Sequence, residues 1–476
     1  MAAAVLAARL NARVTLEAQA DGNIAACFDG YAAGLGKFST AALDRAQGLR
    51  RGLPLDRSTS GDRSVDEEID LLVRRLGQRG LLEYRLGDGG GKKDQVVIEP
   101  QLADYWPRTS KLGSSETIVL SRFAYLRRRG NDMILESPLA GASFRICDAK
   151  VASAIATLSA PQKISRLRRQ ASFPGLELLG LLVDSNILFK IDARGGDGRR
   201  ANEGDENLVL WDFHDLLFHT RSTEGRQANP LGGLYPYADA IAPPPAVRPH
   251  WPGMKIDLTR FSAPADQTVS PYAKLLHQRH STREFDDQQP ITLAGLAQFL
   301  EGTARVQSTW TSKLDLDGGG PDIAYTMRPY PAAGSAYELE LYLAVANCEG
   351  LERGFYHYDA DRHALVPIAA LTQDLETLFQ GAEYAMDAPA PPQILITIAA
   401  RFNRISWKYS SIAYSLILKD VGVLIQTLYM MATDMGLGGC AIGTSNIDLF
   451  AAMTGIEFHV EGPVGQFALG RAVRPA

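Results

Sequence analysis

The sequence predicts an α+β protein: two small helix-and-hairpin units, then a larger domain built on a sheet and one long helix. Three observations carry that prediction. A helix–helix–hairpin pattern occurs twice in the first half of the chain. A proline-rich stretch at 236–252 then interrupts it. Beyond that, an apolar strand at 393–398 precedes an apolar helix from about 410 to 435. The 476 residues leave room for two to four domains at roughly 100–200 residues each.

The first unit is expected over 1–105. Residues 38–49 read as a short helix. Val65, Ile69, Leu72 and Leu76 recur at helical spacing, so their side chains share one face. Residues 81–86 read as a strand, 87–91 as a glycine-rich turn and 95–98 as the returning strand. The second unit, 106–225, repeats the theme. Residues 144–147 read as a strand, 151–158 and 173–182 as helices and 187–191 as a wing strand. The run 194–204 reads as a mobile tip. Both units are therefore winged-helix-like.

Winged helices often bind DNA, but the residues argue against it here. The helix at 65–76 carries Asp66, Glu67, Glu68 and Asp70, which repel phosphates. The helix at 173–182 is mostly apolar, and Arg166, Arg168 and Arg169 read as a solvated face. A net charge of −5 also disfavours a nucleic-acid partner.

Apolar content of 46% and charged content of 22% are those of an ordinary globular protein. Cys27, Cys147, Cys348 and Cys440 are far apart and form no CxxC pair, so no zinc ribbon is expected. His214 and His219, in the aromatic segment 211–219, are five residues apart, which suits no helical metal pair; both read as packing residues. No metal is expected. Residues 1–10 are Ala-rich without a basic start, and no uncharged apolar run approaches the ~18–20 residues of a membrane span. The expectation is a cytoplasmic protein with reduced thiols and no membrane contact.

The proline-rich region makes 226–262 a linker. The domain at 263–476 then begins with a helix at 293–300, capped by Thr292. Strands are expected at 338–346, 354–358, 393–398 and 465–473. The helix at 410–435 carries Ile412, Leu416, Val423, Leu424, Leu428 and Met431, and so is buried on most sides.

Four segments of this domain carry chemistry. Arg279, His280, Ser281 and Arg283 concentrate two guanidinium forks, an imidazole and a hydroxyl within five residues. That is an anion-recognition set, although a lone basic run is often only a solvated surface. In the segment Arg328 to Ser335, Pro329 and Pro331 fix the backbone, and Ala332, Ala333 and Gly334 leave room for a flat ligand. Gly436 to Gly443 reads as a glycine-rich turn or helix C-cap containing Gly438 and Gly439. Arg471, near the C-terminus, offers a further phosphate ligand. Cys440 reads as a small apolar filler. Glu338 and Glu340 read as strand residues. Neither a G-x-G-x-x-G fingerprint opening a βαβ unit nor a Walker A loop occurs.

The string RHSTREFD at 279–286 resembles the opening signature of the nitroreductase-like FMN family, and the later segments extend that resemblance over about 270–474. WDFHDLLFHTRS at 211–222, the proline linker, RPYPAAGSAYELELY at 328–342 and LGR at 469–471 are similar to its SagB-type branch. These are the oxidases of azole-containing ribosomal peptides, cyanobactin oxidases included. The resemblance implies a nitroreductase-like domain with a mixed sheet and a long central helix, and an intertwined homodimer with FMN at its interface. It assigns Arg279, His280, Ser281, Arg283 and Arg471 to the FMN phosphate, ribityl chain and ring edge. Pro331, Ala332, Ala333 and Gly334 would line the ring, often from the second subunit, and Gly438 and Gly439 would approach its other side. The winged-helix-like units would recognise a precursor peptide through its leader, and a cyclodehydratase would be the partner enzyme.

The same resemblance makes Lys408 and Tyr409 the catalytic candidates. Aromatising a thiazoline or oxazoline removes a proton from one ring carbon and a hydride from the other, so a base is required. With Lys408 at the start of the long helix, the local positive potential favours a neutral amine. Tyr409 would position the ring or relay the proton. Two other functions remain open on sequence: an NAD(P)H-dependent nitro- or quinone reductase, and a non-catalytic peptide-binding scaffold. A winged-helix regulator sensing FMN is weakened by the acidic first helix.

Overall fold

A computed structural model describes residues 5–473 apart from 20–22, 29–30, 56–62, 88–93, 103–104, 192–204, 225–231, 234, 236, 251, 262–269 and 317–318. Most of the expected turn at 87–91, the tip at 194–204, and Pro230 and Pro236 lie outside the described residues. The chain divides into two compact units. One comprises Met1–Ala228 with Ser406–Tyr414; the other comprises Asn229–Ile405 with Ser415–Ala476.

In the first unit the expected elements form. Ser39 caps the helix Thr40–Ala46 by accepting from the Ala42 N–H, and the helix Arg63–Gly77 buries Ile69, Leu72, Val73 and Leu76. Their arrangement goes beyond two separate winged-helix-like units. A seven-stranded sheet runs in the spatial order Leu53–Pro54, Val5–Leu10, Leu82–Gly87, Asp94–Pro100, Ala142–Ile146, Asp132–Glu136, Tyr125–Arg129. Asp94–Pro100 pairs with Ala142–Ile146, so strands from both halves share one sheet, and a single apolar cluster extends from Ala8 to Leu188. Local periodicity identifies the pieces but carries no information about which distant strand each one pairs with. A three-stranded antiparallel sheet, Thr15–Ala18, Asn23–Phe28 and Tyr31–Lys37, escaped the sequence reading because its alanines and glycines have little strand preference.

The second unit carries a six-stranded sheet in the order Ala364–Ile368, Gly354–Asp359, Leu339–Val345, Ile394–Arg401, Glu461–Gly470, Gly438–Ile442. Every neighbouring pair is antiparallel, which corrects the expectation of a mixed sheet. An apolar strand buried on both faces, such as Ile394–Arg401, reads the same in either kind of sheet, so composition could not fix its direction. Thr292 caps the helix Leu293–Ala304 as expected, accepting from Gly295 N–H at 3.1 Å.

The long helix spans Ala413–Asp434. It ends at Gly436, whose φ of +68° suits glycine, with the Leu437 N–H bonded to the Ala432 carbonyl at 2.8 Å. The glycine-rich segment beyond is an edge strand rather than the expected turn. Among the described residues this helix alone is long and apolar enough to cross a membrane by length and composition, with 44% of its most apolar window buried within the protein.

Candidate active site

The arginine segment begins where the helix Pro271–Gln278 ends. From there it runs beside the Gly438–Ile442 edge strand and the chain's C-terminal end. The Thr282 N–H donates to the Gly439 carbonyl at 2.8 Å, and the Asp286 N–H donates to the Arg471 carbonyl at 2.9 Å. These bonds bring Arg279, His280, Ser281 and Arg283 together with Gly438, Gly439 and Arg471. Glycine is required for the approach: a Cβ on Gly438 would lie 2.6 Å from Thr282 Cγ2, and one on Gly470 would lie 2.7 Å from Phe285 Cδ1.

Two residues that the sequence reading did not single out fix this arrangement. The Tyr429 hydroxyl is 2.9 Å from Ser281 Oγ and accepts the Ala441 N–H at 2.8 Å, while the Arg279 guanidinium sits 5.2 Å from its ring centroid. Gln393 is fully buried. Its Oε1 accepts the N–H groups of Ile291 and Arg471 at 2.9 and 3.0 Å, and its Nε2 donates to the Asp286 carbonyl at 2.8 Å. The signal for both was a polar tip in an otherwise apolar run.

The electrostatics suit an anion. Arg471 Nε is buried and finds no acceptor among the described residues. Leaving such a donor unpaired costs about 1–3 kcal/mol, and an anionic oxygen would remove that cost. Burial pushes the Cys440 thiol up while Arg283 opposes the shift. Cys440 is otherwise the buried filler expected, packed in the apolar cluster of this unit. Arginines flanked by small residues therefore fit the phosphate end of FMN. Among the described residues no group of three or more His, Cys, Asp or Glu could hold a metal ion.

The turn from Pro331 to Gly334 is held separately. The Ala333 N–H donates to Asp420 Oδ2 at 2.8 Å. Gly334 and Ser335 both adopt positive φ, at 54° and 55°. Tyr330 lies buried under the turn, and its burial pushes the phenol up. Asp420 and Tyr429 are nine residues apart on one helix, about two and a half turns, and therefore lie on opposite sides of it. One protomer's long helix thus offers the arginine cluster on one side and the small-residue turn on the other.

Lys408 and Tyr409 are not at the start of the long helix. They follow the short helix Phe402–Ser406, five residues or fewer before Ala413. Lys408 is exposed, with its Nζ 5.5 Å from the Tyr409 ring centroid. It lies outside the first turn of the long helix, where the dipole acts, which removes that part of the sequence argument. The segment Ser406–Tyr414 instead belongs to the first unit, held by the helix Phe213–Ser222 and the residues just before it. The Asp212 carboxylate accepts the Ser411 N–H, and Asp215 Oδ2 accepts the Tyr414 N–H at 3.3 Å. Burial pushes the Asp215 carboxyl up. His219 Nδ1 lies 3.2 Å from the Tyr414 hydroxyl, and its ring stacks on Trp211. His219 is a core residue, as expected. His214 is exposed on its side chain and pairs with Ser411 O at 3.3 Å, so it is not a core residue. The first unit also contains a cavity of about 620 Å³ walled by Leu10, Leu16, Ile24 and Leu43, with Arg50 and Arg51.

Comparison with known proteins finds relatives of both parts of the chain. The nitroreductase family profile matches residues 276–471, and a second profile, the cyanobactin oxidase ThcOx, matches residues 118–228. A protein of Methanocaldococcus jannaschii named as a nitroreductase is 30% identical over 169 residues, 36% of this chain and 76% of that relative. The chain belongs to the nitroreductase family. It combines that domain with a cyanobactin-oxidase segment, as the SagB-type resemblance implied. The microcin B17-processing protein McbC of Escherichia coli is 29% identical over 122 residues, which span 25% of this chain and 44% of McbC. Among solved structures, the E. coli microcin synthetase McbBCD complex with truncated pro-MccB17 aligns at 18% identity and a TM-score of 0.41, covering 57% of this chain and 97% of the matched one.

Proposed function

We propose that this protein is an FMN-dependent oxidase that converts azolines to azoles in a ribosomally made precursor peptide. The observation that carries the reading is the convergence of Arg279, Ser281, Arg283 and Arg471 beside Gly438 and Gly439, with a buried guanidinium nitrogen that has no acceptor among the described residues. When bound, FMN supplies the hydride acceptor. The guanidinium groups neutralise its phosphate, and Ala332, Ala333 and Gly334 form a flat bed for its ring. Lys408, in its neutral amine form, would take the proton from the azoline carbon, and Tyr409, beside the Lys408 amine, would orient the heterocycle. Support for a peptide substrate comes from the cyanobactin-oxidase segment, the likeness to a microcin-processing protein and the cavity of mixed polar and apolar lining in the first unit. A cyclodehydratase would deliver the azoline.

The active form is a homodimer. The two half-sites lie on opposite sides of one helix, so a complete site takes the arginine cluster of one protomer and the ring-lining turn of the other. The exposed side chains of Met254, Ile256, Leu258 and Phe261 are apolar surface for such an association.

The test is azoline-peptide oxidation by the purified protein and its Lys408→Ala variant, with bound flavin measured in both. Loss of turnover at normal FMN content supports the base role, and near-normal turnover removes it. A second reading, an NAD(P)H-dependent nitro- or quinone reductase, is favoured by the M. jannaschii relative's name. Rapid bleaching of the flavin on mixing with NADPH would select it.

A further inference from the structure

Glu338 immediately precedes the strand Leu339–Val345 and is fully buried. Both its carboxyl oxygens are shut off from solvent and have no well-formed hydrogen bond among the described residues. Facing it within hydrogen-bonding reach is Asp420, itself 7% exposed. Among the other groups around Glu338, the charge of Arg328 opposes the upward shift but does not outweigh burial. Arg328 donates to the Leu339 carbonyl at 3.0 Å and lies 3.8 Å from Glu340. Tyr330 and Tyr337 pack edge to face, their ring centroids 5.4 Å apart. The Arg401 main-chain N–H reaches only the Glu338 main-chain carbonyl. Two ionised carboxylates are acceptors only, so a hydrogen bond between them requires one proton. Without it, two like charges would face each other in a buried site.

We infer that Glu338 and Asp420 share one proton and together position the turn Pro331–Gly334, Glu338 donating to Asp420 while Asp420 holds the Ala333 N–H. The inference rests on the reading of that turn as the bed of the flavin ring. Burial, and then the charge of Asp420, push the Glu338 carboxyl up to about 7. For a raised carboxyl the contribution is complete below its ordinary value of 4.5 and is lost as pH rises through about 7. Once the proton leaves, repulsion acts on the pair, and Asp420, the less buried partner, moves away from Ala333. The ring bed then loosens.

The experiment measures FMN affinity of the apoprotein well below and well above neutral pH, for wild type, Glu338→Gln and Asp420→Asn. Glutamine keeps a donor towards Asp420 that cannot ionise. Wild type should lose roughly tenfold more affinity on alkalisation than Glu338→Gln does, equivalent to about one unit of differential protonation. The ligand phosphate's own titration cancels in that comparison. Asp420→Asn keeps an oxygen for the Ala333 N–H and gains a donor towards Glu338, so it too should lose the pH dependence. Equal pH dependence in wild type and Glu338→Gln, or the wild-type pH dependence retained in Asp420→Asn, overturns the inference. If no protein binds FMN at any pH, the flavin reading fails, yet apoprotein melting still tests the pair. Wild type should then lose stability relative to Glu338→Gln as pH rises, and parallel curves overturn it. Should Glu338→Gln not fold, infrared spectra of wild type decide the matter: a protonated carboxyl band that fades on alkalisation is expected, and its absence in mildly acidic solution refutes the shared proton.

Discussion

Gln393→Leu is the sharpest single test of how the arginine site is built. The substitution keeps an apolar body of similar size but strands three backbone groups: the N–H groups of Ile291 and Arg471 and the carbonyl of Asp286. A stranded buried group costs about 1–3 kcal/mol. The bond to Ile291 is buried, whereas the bonds to Arg471 and Asp286 are only partly so, and water can reach them. The total then comes to about 3–5 kcal/mol, offset by about 1 kcal/mol from the added apolar surface. At about 2–4 °C per kcal/mol for a unit of this size, the melting temperature should fall by about 5–15 °C. The same three bonds join the ends of the arginine segment and the C-terminal strand, so FMN content should fall even in protein that remains folded. Differential scanning calorimetry and the visible absorbance of the purified variant measure both effects. A variant melting within about 2 °C of wild type, with full flavin content, would refute the claim that Gln393 organises the site.

Three further substitutions test the packing and the charge of separate regions. Gly438→Ala places a methyl group 2.6 Å from Thr282 Cγ2, and overpacking of this kind costs about 1–3 kcal/mol; it should weaken FMN binding by displacing Ser281 and Arg283. Gly381→Ala, on an exposed helix position with nothing within 4 Å, should instead stabilise by up to about 1 kcal/mol, and a loss there would fault the steric reasoning. In the first unit, burial raises the Glu136 carboxyl, but hydrogen bonds from Arg127 and the charges of Arg221 and Arg127 outweigh it, leaving the group below 4.5. A lowered carboxyl stabilises above its unfolded value and loses that contribution as pH falls through the folded one. Urea midpoints of wild type and Glu136→Gln should therefore converge on acidification, and a constant gap would contradict the assignment.

The site was legible in sequence wherever its chemistry is local. Arg279 to Arg283 lie within five residues, and their donors need no fold to be recognised as an anion set. The partners that orient them are distant. Tyr429 and Gln393 act over separations of 148 and 107 residues, so each looked like an incidental polar residue in an apolar run. Glu338 was hidden in the same way, because alternation along a strand says nothing about what its carboxyl faces. Gly438 and Gly439 misled in the opposite sense. Glycine disfavours strands in isolation, but here the edge strand needs it for close approach to Thr282 and Phe467. The start of the long helix failed for a non-local reason too. Apolar periodicity carries back through Ile412, yet Ser411 takes a φ of +63° and gives its N–H to Asp212, nearly two hundred residues earlier. A left-handed residue cannot continue a right-handed helix. The aromatic segment that read as simple packing therefore sets where the helix begins, and with it the environment of Lys408. No periodicity within residues 406–414 could have revealed that, since the acceptors that fix Ser411 and Tyr414 are on a different element.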